Sequence, residues 1–84
     1  MKLKEIRNKL KEKNDIFGKI TVIRKDGNIV CREDIGSPRN SNLKMDMFNS
    51  FVKRTLDIKD TKPRIFRGTK GIYTNYWIEV IIKE

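Results

Sequence analysis

The sequence predicts a two-layer α+β domain, in which a four-stranded antiparallel sheet carries two helices on one of its faces. Two observations lead to this prediction. Apolar residues recur with helical spacing in two segments, and each of these segments is followed by two β-rich runs joined by a turn. The predicted element order is αββαββ, and the 84 residues are expected to form a single small basic domain over 1–84. A winged-helix-like arrangement is the alternative, weakened because the region directly before the last hairpin offers one helix where that fold needs two in succession.

The first half of the chain predicts a helix and a hairpin. Leu3, Ile6 and Leu10 recur at i, i+3 and i+7, which places them on one stripe of a helix over residues 2–13. Two β-rich runs then flank Asp26-Gly27, a dipeptide that tolerates the positive φ of a tight turn. A β-hairpin is therefore expected around this dipeptide.

A longer helix is predicted from about Leu43 to Leu56. Its apolar residues spread over an arc that suits a helix lying on a sheet, and they are Met45, Met47, Phe48, Phe51, Val52 and Leu56. The preceding loop is rich in Gly, Pro, Ser and Asn, and Ser37 or Ser41 is placed to cap the helix.

The last hairpin contains the stretch KPRIFRGTKGIYTNYW, residues 62–77, with four cationic side chains, four aromatic rings and no carboxylate. A loop that includes Gly68 and Gly71 is predicted between its strands. Strand alternation places Tyr76 on the apolar core face of the last strand, and Phe66 is expected to join it in the core. The rings left for binding are then Tyr73 and Trp77, of which Trp77 could instead fill a contact between subunits.

Cations outnumber anions, with 20 Lys and Arg against 11 Asp and Glu, so the formal charge is +9. A field of this size attracts phosphate polymers, anionic membranes or acidic proteins. The surplus lies at the two ends, +6 over residues 1–25 and +3 over 61–84. The residues predicted to contact nucleic acid therefore lie on the first helix and the last hairpin, and they are Lys4, Arg7, Lys11, Arg64, Arg67, Lys70 and Tyr73.

The residue types disfavour catalysis and metal binding. The sequence has no histidine and one cysteine, Cys31, which excludes an intramolecular disulfide and the usual Cys/His zinc site. Glu33 and Asp34 are strand neighbours that point to opposite faces, and both are expected to be solvated. We therefore expect a non-enzymatic protein without a cofactor. A small toxin-type ribonuclease, which can use Arg, Lys and Tyr in place of histidine, is the remaining enzyme alternative.

Binding of nucleic acid through phosphate contacts is the leading hypothesis, with DNA favoured over RNA because no RNA-specific module appears. The main alternative is a protein-binding module that inhibits or assists a host enzyme or a nucleic-acid machine by occupying an acidic surface, or by pairing through an exposed last strand. Self-pairing would give a homodimer.

No apolar run is long enough to span a bilayer, and the stripe of the first helix lacks an aromatic insertion face, so no membrane partner is expected. One cysteine and the lack of a signal peptide favour the cytoplasm. Ile, Lys and Asn, which have AT-rich codons, are abundant, and this favours an AT-rich genome as the source, such as that of a low-GC bacterium or of one of its phages, plasmids or other mobile elements.

Overall fold

The computed structural model describes residues 3–12, 18–25 and 27–83, so the predicted helix ends at Lys2 and Lys13 and the turn residue Asp26 lie outside the described residues. Six elements follow one another: α1 (Leu3–Lys11), β1 (Ile20–Lys25), β2 (Asn28–Asp34), α2 (Ser41–Leu56), β3 (Thr61–Lys70) and β4 (Tyr73–Ile82). All strand pairs are antiparallel and the sheet order is β1-β2-β4-β3. The predicted αββαββ fold is confirmed.

Both helices pack on the same face of the sheet and share one core with it. The buried apolar side chains are Ile6, Leu10, Val30, Cys31, Phe48, Phe51, Val52, Leu56, Ile78, Val80 and Ile82. Each fully buried aliphatic or aromatic side chain contributes about 1.5–3 kcal/mol relative to exposure. The predicted core face of the last strand is confirmed at three positions, and Tyr76 on the same face is half-buried.

The apolar arc of α2 is confirmed except at Met47, which is exposed. Asn49 is half-buried, and its side-chain oxygen accepts a hydrogen bond from Thr61 Oγ1 at 2.7 Å. The helix begins at Ser41 without a side-chain capping bond, and the Ser41 hydroxyl donates to the Ser37 carbonyl at 3.3 Å instead.

A β-bulge in β2 explains why two consecutive residues are both fully buried. Val22 pairs with Arg32 and Arg24 with Ile29, so one residue of β1 lies opposite two residues of β2. The two residues are Val30 and Cys31, and both join the core. Burial raises the pKa of the Cys31 thiol to about 12, as expected for a cysteine packed in the core.

The hairpin of β3 and β4 extends beyond the rest of the sheet. Its strands pair from Thr61↔Ile82 to Lys70↔Tyr73, whereas β2 pairs with β4 only as far as Asp34↔Trp77. One further backbone hydrogen bond joins Ile35 N to the Tyr76 carbonyl at 3.1 Å. Beyond it, residues 67–76 form a two-stranded ribbon, which we call the arm, and none of its residues is buried.

The predicted loop between these strands is much shorter than expected. Strand β3 runs through Gly68, and only Gly71 and Ile72 connect it to β4. Gly71 has φ +61 and Ile72 has a negative φ, as in a type II′ hairpin turn with glycine at its first central position. Gly68 has a different role, because a Cβ there would lie 2.8 Å from a carbon of the Trp77 ring.

The predicted placements of Phe66 and Glu33 are also wrong. Phe66 pairs directly with Trp77, and directly paired residues share a face, so its ring lies on the sheet face opposite the helices. Glu33 pairs with Ile78 and points into the helix layer, where its side chain is 1% exposed and 2.9 Å from Lys44 Nζ. Burial raises the pKa of Glu33, and the neighbouring Lys44 ammonium partly offsets this rise.

The last strand is not an exposed edge, contrary to the hypothesis that it pairs with a partner. β4 lies between β2 and β3, so both of its sides are occupied where β2 reaches it. The edges of the described sheet are β1 and β3.

Candidate nucleic-acid interface

The sheet face opposite the helices carries a cluster of charged and aromatic side chains. Glu79 is 1% exposed there and lies at the centre of the cluster. Its carboxylate accepts a hydrogen bond from Trp77 Nε1 at 2.9 Å and lies 3.1 Å from Arg24 Nη1. Glu79 is buried whereas the Arg24 side chain is 34% exposed, so loss of either partner would leave the buried carboxylate less compensated.

Ring stacking extends this cluster across the sheet. The rings of Phe66 and Trp77 are stacked with centroids 6.1 Å apart and an interplanar angle of 10°. The Arg32 guanidinium lies 5.1 Å from the Trp77 ring centroid, and the Arg24 guanidinium lies 5.8 Å from that of Phe66. We call the following five residues the arginine–aromatic cluster: Arg24, Arg32, Phe66, Trp77 and Glu79. It fixes the base of the arm on the body of the domain.

The cluster changes what Trp77 can do. Its ring contacts Phe66 and Arg32 and lies against Gly68, and its N–H is used by Glu79. Trp77 therefore has a structural role in the described chain, whereas it was expected to bind a base or a second subunit. Tyr73, the other ring expected to bind, is 71% exposed near the end of the arm.

The predicted residues of the hairpin are all exposed. Arg64 pairs with Glu79 and Lys70 with Tyr73, so these residues lie on the sheet face opposite the helices. Arg67 pairs with Tyr76 and lies on the other face of the ribbon. The hairpin thus presents cations on both of its faces, and residues 67–76 contain no carboxylate.

The predicted residues of α1 are also exposed but belong to a different region. Lys4, Arg7 and Lys11 lie beside the buried Ile6 and Leu10, and α1 packs on α2 and β1 in the helix layer. β1 is the sheet edge opposite to β3. Two of these cations, Lys4 and Arg7, line an open groove of about 520 Å³ beside β1. The structure therefore separates the predicted contacts into two groups.

Sequence reasoning missed three residues of this region. Arg24 and Arg32 belong to the arginine–aromatic cluster. The sequence signal for Arg32 was its position next to Cys31, because strand alternation places neighbouring residues on opposite faces of the sheet. Ile72 was assigned to a loop and lies at the tip of the arm, where it is 90% exposed. Its signal was an isolated apolar residue beside the turn glycine.

Metal and membrane features were searched for in the ranges 3–12, 18–25 and 27–83. In that part of the chain no three acidic or cysteine side chains lie close enough to hold a metal ion, and neither helix is long and apolar enough to cross a membrane. Comparison with known proteins found no matching family model, no matching curated protein and no matching solved structure. The candidate interface therefore has to be interpreted from its own geometry.

Proposed function

We propose that the protein is a non-enzymatic nucleic-acid-binding protein that contacts the phosphate backbone of DNA with the arm. The observation that carries the proposal is the arm itself: a protruding ribbon with Arg67 on one face, Lys70 on the other and no carboxylate. Phosphates supply most of the affinity in such complexes.

A two-stranded ribbon with cations on both faces suits a groove of duplex DNA. A groove is bordered by two phosphate backbones, and β-ribbons are among the elements that enter grooves. With the ribbon in the groove, Arg67 can reach one backbone and Lys70 the other. Arg64, nearer the body of the domain, extends the contact on the face that carries Lys70.

The cations of α1 form a second patch in this proposal. Lys4, Arg7 and Lys11 lie in the helix layer, so they contact a separate stretch of backbone. Contacts at both patches would raise the number of neutralised phosphates and therefore the salt dependence.

Titration of labelled duplex DNA, single-stranded DNA and RNA at three salt concentrations tests the proposal. If about six phosphates are neutralised, affinity for the duplex falls roughly a thousandfold between 50 and 200 mM salt. A flat salt response contradicts the proposal. RNA recovered uncut from the same titration argues against the ribonuclease alternative, and cleaved RNA argues for it.

Paired charge variants locate the contact. Arg67→Ala with Lys70→Ala is expected to weaken binding to many sequences alike, because phosphate contacts carry no sequence information. The matched control is Arg54→Ala with Lys59→Ala, which removes the same charges from exposed positions at the end of α2 and in the loop that follows. Equal losses for the two pairs would mean that the arm has no special part in binding.

A protein partner is the second candidate function, favoured by the outer edge of β3. This ten-residue strand pairs with β4 on one side only, so a partner strand could add to its other side. The same edge could join two copies of the chain, so a homodimer stays a prediction. Capture of a partner that survives nuclease treatment and high salt would favour this candidate.

A further inference from the structure

We infer that Ile72 at the tip of the arm is a wedge that enters between base pairs of bound duplex DNA and bends it. The inference rests on the proposed function and adds a consequence for the DNA that phosphate contacts alone do not give. Minor-groove proteins that bend DNA insert apolar side chains of this kind, Ile among them, at base steps.

The exposure of Ile72 has no explanation within the fold. Its side chain is 90% exposed, more than any other large apolar side chain of the described residues. A hairpin turn does not require it either, because the turn glycine is Gly71 and such turns favour Gly, Asn and Asp. An apolar, β-branched residue at this point is therefore suited to contact something outside the chain.

The surroundings of Ile72 identify the partner as a polyanion. Lys70 lies across the turn, directly paired with Tyr73, and Arg67 lies three residues further from the tip on the same strand. The charged side chains of the arm are those of Arg67 and Lys70, and both are cationic. A purely apolar partner would not favour these two cations, whereas phosphates on both sides of an opened base step would.

The base of the arm gives the wedge a firm support. Trp77 and Phe66 are stacked where the arm leaves the sheet, and Glu79 holds both Trp77 and Arg24. A side chain can unstack bases only if the element that carries it does not yield, because opening a step costs a few kcal/mol. The wider contact that bent DNA makes with the protein, including the α1 patch, offsets that cost.

Energy transfer between dyes at the two ends of a duplex of about 30 base pairs measures the bend. Wild-type protein is expected to raise the transfer efficiency, as for a bend of about 20–90°. Ile72→Ala is expected to bind within about threefold of wild type, because phosphates dominate affinity, and its salt dependence should be no steeper than that of wild type, because unbent DNA makes no more phosphate contacts. This variant should not raise the transfer efficiency, whereas Ile72→Met should.

Leu43→Ala is the matched control, since Leu43 is an apolar residue 65% exposed near the start of α2 and is not part of the arm, so its removal should leave the bend unchanged. Bending by Ile72→Ala equal to wild type overturns the inference, as does wild-type binding without any change in transfer. Both of these results leave the proposed function standing. Failure of the wild-type protein to bind duplex DNA at all overturns both.

Discussion

Trp77 donates its indole N–H to the Glu79 carboxylate at 2.9 Å, although the two residues are separated by a single residue on the same strand. Side chains two apart on a strand share a face, so this contact needs the indole to lie along the strand. It supplies a hydrogen-bond donor to Glu79 Oε1 on a sheet face that no described helix covers, and it holds the Trp77 ring against Gly68.

Removal of the indole N–H is expected to destabilise the fold. Trp77→Phe keeps an aromatic ring but leaves one oxygen of the buried Glu79 without its donor, which costs about 1–3 kcal/mol. Urea unfolding followed by circular dichroism measures the change. An unfolding free energy equal to that of wild type would show that the hydrogen bond has no net effect on stability.

Gly68→Ala is expected to destabilise by about 1–3 kcal/mol, because its new Cβ would lie 2.8 Å from the Trp77 ring. The loss should shrink when Trp77→Phe is present, since the atoms that collide belong to the larger ring. A double-mutant cycle by urea unfolding measures this coupling. Additive losses would mean that the cost of Gly68→Ala arises elsewhere.

Cys31 is expected to resist thiol reagents in the folded protein. Its pKa of about 12 leaves it protonated at pH 8, and its side chain is fully buried in the core. Reaction with a chromogenic disulfide should therefore be slow at pH 8 and at pH 9, and should become fast in denaturing urea. Rapid labelling without urea, with a rate that rises between these two pH values, would contradict the buried position.

Glu33 makes the stability depend on pH. Its folded-state pKa is raised above the ordinary value of 4.5 by burial, so the folded state holds this proton more tightly than the unfolded state does. The stability that this tighter proton binding contributes is present below about pH 4.5 and is lost as pH rises through the folded-state pKa. The loss is about 1.4 kcal/mol for each unit by which the folded-state pKa exceeds the unfolded-state pKa. The unfolding free energy of wild type should therefore fall relative to that of Glu33→Gln between pH 4 and pH 7. Parallel pH profiles of the two proteins would contradict this.

The order of the elements and most of the core could be predicted from the sequence because they follow from local spacing. The stripe of Ile6 and Leu10, the arc around Phe48 and the alternation of Ile78 and Val80 each lie within one element. Such patterns indicate which face of each element is apolar, and the core forms where these apolar faces pack against one another.

The misplaced residues depended on pairing between elements. Phe66 lies opposite the helices because of its register with Trp77, and Glu33 is buried because Ile78 lies beside it and Lys44 reaches it from α2. Neither relation can be read from the residues next to these positions. The arm was missed in the same way, since its length depends on where β2 stops pairing.

The two hairpins of the sheet are joined by a short seam. Each hairpin connects neighbours in the chain, but the contact between them runs from Cys31↔Val80 to Asp34↔Trp77 and spans four residue pairs. Opening of this seam would separate two hairpins that keep their own hydrogen bonds, so it is a natural boundary between cooperative units. Amide hydrogens along the seam would then exchange through such an opening. The direction of the arm relative to the helices therefore depends on these few backbone bonds between β2 and β4, together with the arginine–aromatic cluster and the packing of α2 on β3 and β4.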